Sequence, residues 1–158
     1  MLITHAEKAD LSDILALQYL AYQSEAIVCN NPNIPPLAQT IEEIQVEFEK
    51  GVFLKAIYEN ENIIASVRAF SENGTLFIGK LIVQPDFQGR GIGTKLLDEI
   101  ERIYPHNRYE LFTSTKSERN IKLYERLGYV KYKEQDLSND LKLIYLSKTK
   151  DPAKHILR

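Results

Sequence analysis

The chain has 158 residues, of which 44% are hydrophobic and 27% charged, a balance that supports one globular domain with a real core and excludes wholesale disorder. Lys and Arg number 20 against 22 Asp and Glu, a formal net charge of −2, so a strongly basic nucleic-acid-binding surface is disfavoured. The single cysteine, Cys29, allows no intramolecular disulfide and no multi-cysteine zinc site, and His5, His106 and His155 lack ligand-like spacing.

The opening MLITHAEKADLSD has neither the basic start nor the apolar stretch of a signal peptide. No apolar run approaches the roughly 20 residues that span a bilayer. The expectation is a soluble, cytoplasmic protein without a membrane partner.

Residues 1–6 read as a first strand. Asp10 is placed to cap a helix reaching about Ser24, with Leu11, Ile14, Leu15 and Leu17 on its apolar side. The prolines of residues 30–36 (NNPNIPP) exclude an ordinary helix there. Thr40-Ile41-Glu42-Glu43 is a capping box that starts a second helix, ending near Gly51. Strands are predicted at 52–58, 63–70 and 76–83. Residues 59–62 join the first two, and Asn73-Gly74 makes a tight turn before the third. The third is almost continuously apolar, as a central strand covered on both faces would be.

A helix over 90–104 places Leu96, Leu97, Ile100 and Ile103 on one face. A strand at 109–113 follows, then a helix over 117–127, with Ser117 as N-cap and Gly128 placed for the C-terminal cap. Strands at 129–133 and 141–147 close the domain, taken as residues 1–148. Residues 149–158 form a loosely held tail or a segment exchanged with a partner. The order is strand, two helices, three strands, helix, strand, helix, two strands. An antiparallel meander feeding a β-α-β segment gives an α/β (mixed α+β) fold with a largely antiparallel sheet, not a doubly wound parallel one.

The segment Val83-Gln84-Pro85-Asp86-Phe87-Gln88-Gly89-Arg90-Gly91-Ile92-Gly93-Thr94 is the most informative. A buried strand ends, Pro85 stops the ladder, and a glycine-rich turn opens a helix. Free N–H groups and partial positive charge at that helix start suit a phosphate, and Arg90 adds charge-assisted hydrogen bonds. The dinucleotide pattern G-x-G-x-x-G fails in both frames, and no Gly-Lys-Ser/Thr occurs. A tight strand-to-helix turn without a ligand is the plainer alternative.

The segment resembles the coenzyme A signature of the Gcn5-related N-acetyltransferases (GNAT), Val-x-Pro-x-x-Gln/Arg-x-x-Gly-x-Gly/Ala: Val83, Pro85, Gln88, Gly91 and Gly93 fill the fixed positions. Residues 117–130, SERNIKLYERLGYV, resemble the family's second signature, a helix ending in Leu-Tyr-x-x-x-Gly-Phe/Tyr. The order of elements agrees with the family over nearly the whole chain.

The resemblance implies that the strand ending at Val83 and the strand near 109–113 splay apart. The pantetheine arm would lie between them, against backbone around Leu81 and Val83. The pyrophosphate would rest on the N–H groups of Gln88, Gly89, Arg90, Gly91, Ile92, Gly93 and Thr94. A strand N–H, that of Val83, would polarise the acetyl carbonyl. Tyr124 aligns with the family tyrosine beside the cofactor sulfur and would protonate the departing thiolate. From spacing alone, Tyr124 is a core residue on the stripe Ile121, Tyr124, Leu127. Asn120, on the same helix face, reads equally as a hydrogen-bonding partner of the pantetheine arm or as a polar surface residue. Lys122 and Arg126 could reach the adenosine phosphate end, with a solvated charged face as the plainer reading.

The general base stays open. Some relatives carry a catalytic Glu where this chain has Phe77, and 76–83 contains no carboxylate. Glu72, Glu25, His5 and a water chain remain, each residue also reading as an ordinary surface group. Positioning of a deprotonated amine is an alternative to any base. The first helix, the loop 29–39 and the last hairpin are expected to form the acceptor site, with Tyr19, Tyr22 and Phe53 as candidate lining and core packing as the plainer reading of these aromatics. The implied function is acetyl-CoA-dependent transfer, without a metal, to a primary amine on a small molecule or a protein. The alternative is a non-catalytic acyl-CoA-binding or sensing domain. A homodimer stays open.

Overall fold

The computed structural model describes residues 1–59 and 61–149. Asn60, in the predicted connection 59–62, and the predicted tail from Lys150 onward lie outside the described residues. The elements are β1 (Leu2–His5), a 3₁₀ turn (Lys8–Asp10), α1 (Leu11–Ala21), α2 (Gln23–Val28), α3 (Pro35–Ala38) and α4 (Ile41–Lys50). They continue with β2 (Val52–Tyr58), β3 (Asn62–Glu72), β4 (Thr75–Val83) and α5 (Ile92–Ile103). The last are β5 (Arg108–Ser114), α6 (Glu118–Arg126), β6 (Val130–Ser138) and β7 (Leu141–Thr149).

The described strands form one sheet in the order β1-β2-β3-β4-β5-β7-β6. Every pairing is antiparallel except β4 with β5. On one face Leu96, Leu97 and Ile100 of α5 pack with Leu54, Val67 and Leu111 of the sheet. On the other, Leu11, Ile14 and Leu15 of α1 meet Ile44 of α4 and Phe53 of β2. Beyond α1, Ala26, Cys29 and Ile34 close over Leu141 and Leu143 of β7. The α2–α3 segment is thus pinned across the β5–β7 half of the sheet by its own apolar residues.

Local chemistry explains most boundaries. Thr40 Oγ1 accepts the Glu43 N–H at 3.2 Å and Glu43 Oε1 accepts the Thr40 N–H at 2.9 Å, the reciprocal cap read from sequence. Asn73 and Gly74 both hold positive φ, 51° and 82°, at the β3–β4 turn.

Other boundaries differ from expectation. Asp10 does not cap α1 with its side chain. Its Oδ2 accepts the Glu7 N–H and the Lys55 ammonium, each at 2.7 Å, and a 3₁₀ turn precedes the helix. The first helix breaks at Tyr22 and resumes to Val28, because Ala26 and Cys29 have apolar partners on β7. The helix predicted from Arg90 starts at Ile92: Gly91 holds φ 79°, which a helix interior does not accept. Ser117 stands at the N-cap of α6, but its hydroxyl donates to Glu25 Oε1 at 2.7 Å instead of capping. Strand β6 runs five residues past the predicted end at Lys133. All nine of its residues are exposed, so no burial alternation marked it. Strand β7 reaches Thr149, which pairs with Arg108.

Candidate active site

Strands β4 and β5 pair over only three positions, Thr75 with Arg108, Leu76 with Tyr109 and Phe77 with Glu110. Past Phe77 the strands separate. β4 stays bound to β3 as far as Val83, and β5 to β7 as far as Ser114. The β4 edge that carries Leu81 and Val83 therefore faces the opening without a strand partner. The separation begins where β4 bulges: Arg68 pairs with Gly79 but Ser66 with Ile82, so β4 holds one extra residue. Lys80, inside the bulge, has φ 47°.

A cleft of about 770 Å³ occupies this opening. Past β4 the chain enters the glycine turn, whose residues are not among those lining the cleft. Gly89 and Gly91 hold φ of 78° and 79°, and a Cβ on Gly91 would meet nothing within 4 Å, so its backbone is open to a ligand. Gly93 differs. A Cβ there would stand 3.3 Å from Leu123 and 3.6 Å from Leu81, so this glycine lets α5 approach both β4 and α6. The Gln88 side chain donates to Val83 O at 3.2 Å and accepts from Arg119 Nη1 at 2.8 Å. Arg90 lies over the Phe87 ring, 4.9 Å from its centroid, and donates to Asp86 O. Ile92 is buried under the start of α5, and Thr94 lies in its first turn. Arg119, which the sequence reading did not single out, adds a second guanidinium to the turn.

Tyr124 and Asn120 of α6 both line the cleft. Tyr124 belongs to the core and also faces the opening. Its hydroxyl makes no hydrogen bond among the described residues. Burial, reinforced by the nearby Glu25 carboxylate, pushes its pKa well above the usual phenol value, so the phenol stays protonated. Asn120 Nδ2 lies 3.4 Å from Thr113 Oγ1. Of the candidate bases, only Glu25 lines the cleft. His5, on outer strand β1, bonds to the Tyr104 hydroxyl at 2.6 Å, and Glu72 ends β3 at the surface. Phe77 stacks on Phe70 at 5.1 Å between centroids.

Tyr22, Phe53, Pro35 and Pro36 line the cleft, whereas Tyr19 does not; its hydroxyl donates to Gln39 O. Burial and Glu25 push the Tyr22 phenol up as well. Beside Phe53 lies a buried polar network that sequence reasoning missed. Arg68, 4% exposed, donates to Gln18 Oε1 at 2.7 Å, Gln39 Oε1 at 3.1 Å and Glu47 Oε2 at 3.4 Å. Its Nε has no partner among the described residues. An Arg inside the apolar run of β3 was the available signal, because a buried guanidinium needs a reason.

The acetyltransferase (GNAT) family matches residues 13–129. The chain belongs to the GNAT family. Solved GNAT structures share the fold. The ribosomal-protein-S18-alanine N-acetyltransferase of Escherichia coli superposes with a TM-score of 0.74 at 18% identity, over 94% of this chain and 92% of that one. The PaiA N-acetyltransferase of Thermoplasma acidophilum, solved in complex with coenzyme A, gives 0.75 at 15% identity, over 95% and 100%. A curated relative, the UPF0157 protein YqkA of Bacillus subtilis, is 28% identical over 134 residues, 82% of this chain. Those residues amount to 37% of that relative's length. Among the described residues no helix is long and apolar enough to cross a membrane.

Proposed function

We propose that this GNAT chain moves an acetyl group from acetyl-CoA to a primary amine by direct attack in a ternary complex. One observation carries the reading: the unpartnered edge of β4, which leads in the chain to an open glycine turn, faces a cleft also lined by Tyr124, whose hydroxyl has no hydrogen-bond partner among the described residues. The cradle fits the cosubstrate. Gly89 and Gly91 expose backbone, Arg90 and Arg119 supply cationic charge, and the β4 edge around Leu81 and Val83 offers main-chain groups to an extended amide arm. The PaiA structure, which shares the fold, holds coenzyme A.

The bound thioester would supply the activated acetyl group. The chain's own residues do the rest. The N–H groups from Gln88 to Thr94 would hold the diphosphate, and Asn120 the arm. Backbone N–H of Val83 would polarise the carbonyl. Tyr124 would give its proton to the departing sulfur. Glu25 would take a proton from the incoming ammonium. It lines the same cleft as residues 77–81 of β4 and would serve where Phe77 provides no carboxylate. The acceptor is a small molecule or a protein, and a cytoplasmic setting and a homodimer belong to the same reading.

Phe77, stacked on Phe70 at the strand position where some relatives carry a catalytic Glu, favours a second reading: a domain that binds acyl-CoA and senses it. Calorimetry with acetyl-CoA, beside steady-state thiol release with an amine panel, separates the two. Binding with turnover supports the enzyme. Tight binding without turnover on any amine supports the sensor.

A further inference from the structure

The transferase reading leaves the acceptor open, and the charge arrangement in the cleft narrows it. Six ionisable side chains of Glu, Lys or Arg line the opening: Glu25, Glu47, Lys50, Arg68, Lys80 and Glu110. Three are engaged with one another or with neighbours. Glu110 is held by Arg108 and the Tyr132 hydroxyl. Glu47 is held by Gln39 and faces Arg68. Lys50 lies exposed at the end of α4.

Lys80 is different. It is half-buried and makes no hydrogen bond or ion pair among the described residues. The bulge explains how it comes to face the cleft. Ile78 packs into the core beneath α5, and strict alternation would send Lys80 the same way. The extra residue in β4 turns it instead toward Glu47 and Arg68. Burial lowers its pKa. Glu47 opposes that shift, and Arg68 adds to it. Two cations thus share one carboxylate, which is already engaged. Close by, Glu25 stands beside Tyr124, and Tyr22 is within electrostatic reach of Glu25, Tyr124 and Arg68, so it links the two charge sites. The rest of the lining is largely apolar and aromatic, with Phe70, Phe77, Phe112 and Tyr145 among it.

Resting on the transferase reading, we propose that the acceptor is an amino-acid-like amine with an apolar body, whose carboxylate is received by Lys80 beside Arg68 while its amine lies toward Glu25 and Tyr124. A polyamine fits poorly. Among the described residues Glu25 is the only lining carboxylate not already facing or bonded to a cation, and a second ammonium would meet Lys80. Electrostatic mismatch of this kind selects against a ligand as firmly as new contacts select for one.

The experiment uses the full chain and four probes: L-phenylalanine, L-leucine, and their decarboxylated counterparts phenethylamine and isoamylamine. Thiol release gives kcat/KM for each. Calorimetry titrates L-phenylalanine into protein saturated with coenzyme A. The amino acids should exceed their decarboxylated counterparts by roughly tenfold or more, since the carboxylate gains a charge-assisted bond. Lys80→Met should bring that ratio toward one and weaken the calorimetric binding. Lys80→Arg, which keeps the cation, should restore both and shows that a loss in Lys80→Met is not misfolding. Amines equal to or better than their acids, or a ratio indifferent to Lys80→Met, would overturn the proposal while leaving the transferase reading intact. Lys80-dependent binding of L-phenylalanine with no turnover of any probe would keep a carboxylate site at Lys80 but overturn its assignment to the acceptor, leaving the transferase reading to the amine panel. Neither binding nor turnover with any probe would overturn the proposal.

Discussion

Tyr124 packs its ring in the core, 6.2 Å from the Tyr129 ring between centroids, and also lines the cleft. Those two roles separate cleanly on substitution. Tyr124→Phe keeps the ring and removes the proton donor, so acetyl-CoA affinity and thermal midpoint should hold while turnover falls on the order of 10²-fold. A drop in stability with unchanged turnover would leave only the packing role. Single-turnover measurements guard against a slow product release that hides the chemical step. The direction of the pKa also predicts a pH profile. Tyr124 is raised above its ordinary value of 10.0 by burial and Glu25, so its acid form is fully present below that pH and is lost only above it. Turnover should therefore show no alkaline decline that vanishes in Tyr124→Phe at any pH up to 10. A Tyr124-dependent decline centred near pH 8 would contradict the protonated donor. The place of Tyr124 on the cleft-lining helix α6 was readable from its Leu-Tyr-x-x-x-Gly context. The partnership with Glu25 was not, because it joins α2 to α6 across about ninety residues of chain, and no local pattern encodes such a distance.

At the scale of elements, what the sequence made legible is what depends on neighbours in the chain. The Thr40–Glu43 cap, the Asn73-Gly74 turn and the glycine turn before α5 each follow from residues a few positions apart, and each stands where expected. The β4 bulge was invisible, since it is a mismatch in register between two strands, and Leu76 to Val83 reads as an unbroken apolar run apart from Gly79 and Lys80. Strand β6 was truncated because neither of its faces is buried. The glycine turn permits a direct test. Gly91→Ala forces a side chain into left-handed backbone, which should cost about 1 kcal/mol or more and lower the thermal midpoint by a few degrees. Gly91→Glu carries the same backbone cost and adds a negative charge to the cradle. Acetyl-CoA affinity, measured by calorimetry, should fall at least tenfold further in Gly91→Glu than in Gly91→Ala. Equal affinities in the two variants would show that no anion sits there.

The whole molecule is two blocks of sheet, β1–β4 and β5-β7-β6, joined edge to edge by three residue pairs and otherwise by the core beneath α5 and α6. Backbone groups on the facing edges of β4 and β5 past Phe77 and Glu110 have no partner across the gap, so they should exchange with solvent more readily than those of a continuous sheet. A cosubstrate seated between the blocks would change two observables together. At a concentration 100-fold above its Kd it should add about 2.7 kcal/mol of stability, raising the thermal midpoint by roughly 5–10 °C for a chain of this size. Hydrogen exchange should slow at amides 78–83 of β4 and 88–94 of the glycine turn, because an extended arm and a diphosphate would accept from them. The β6 edge, on the far side of β7, should change only by the amount that global stabilisation imposes on every amide. A rise in midpoint with protection spread evenly over the sheet would place the ligand elsewhere. Protection concentrated on β6 would point to an association of chains at that edge. Protection confined to the gap, lost in Gly91→Glu and kept in Tyr124→Phe, would tie binding to the cradle and leave the tyrosine to the chemical step.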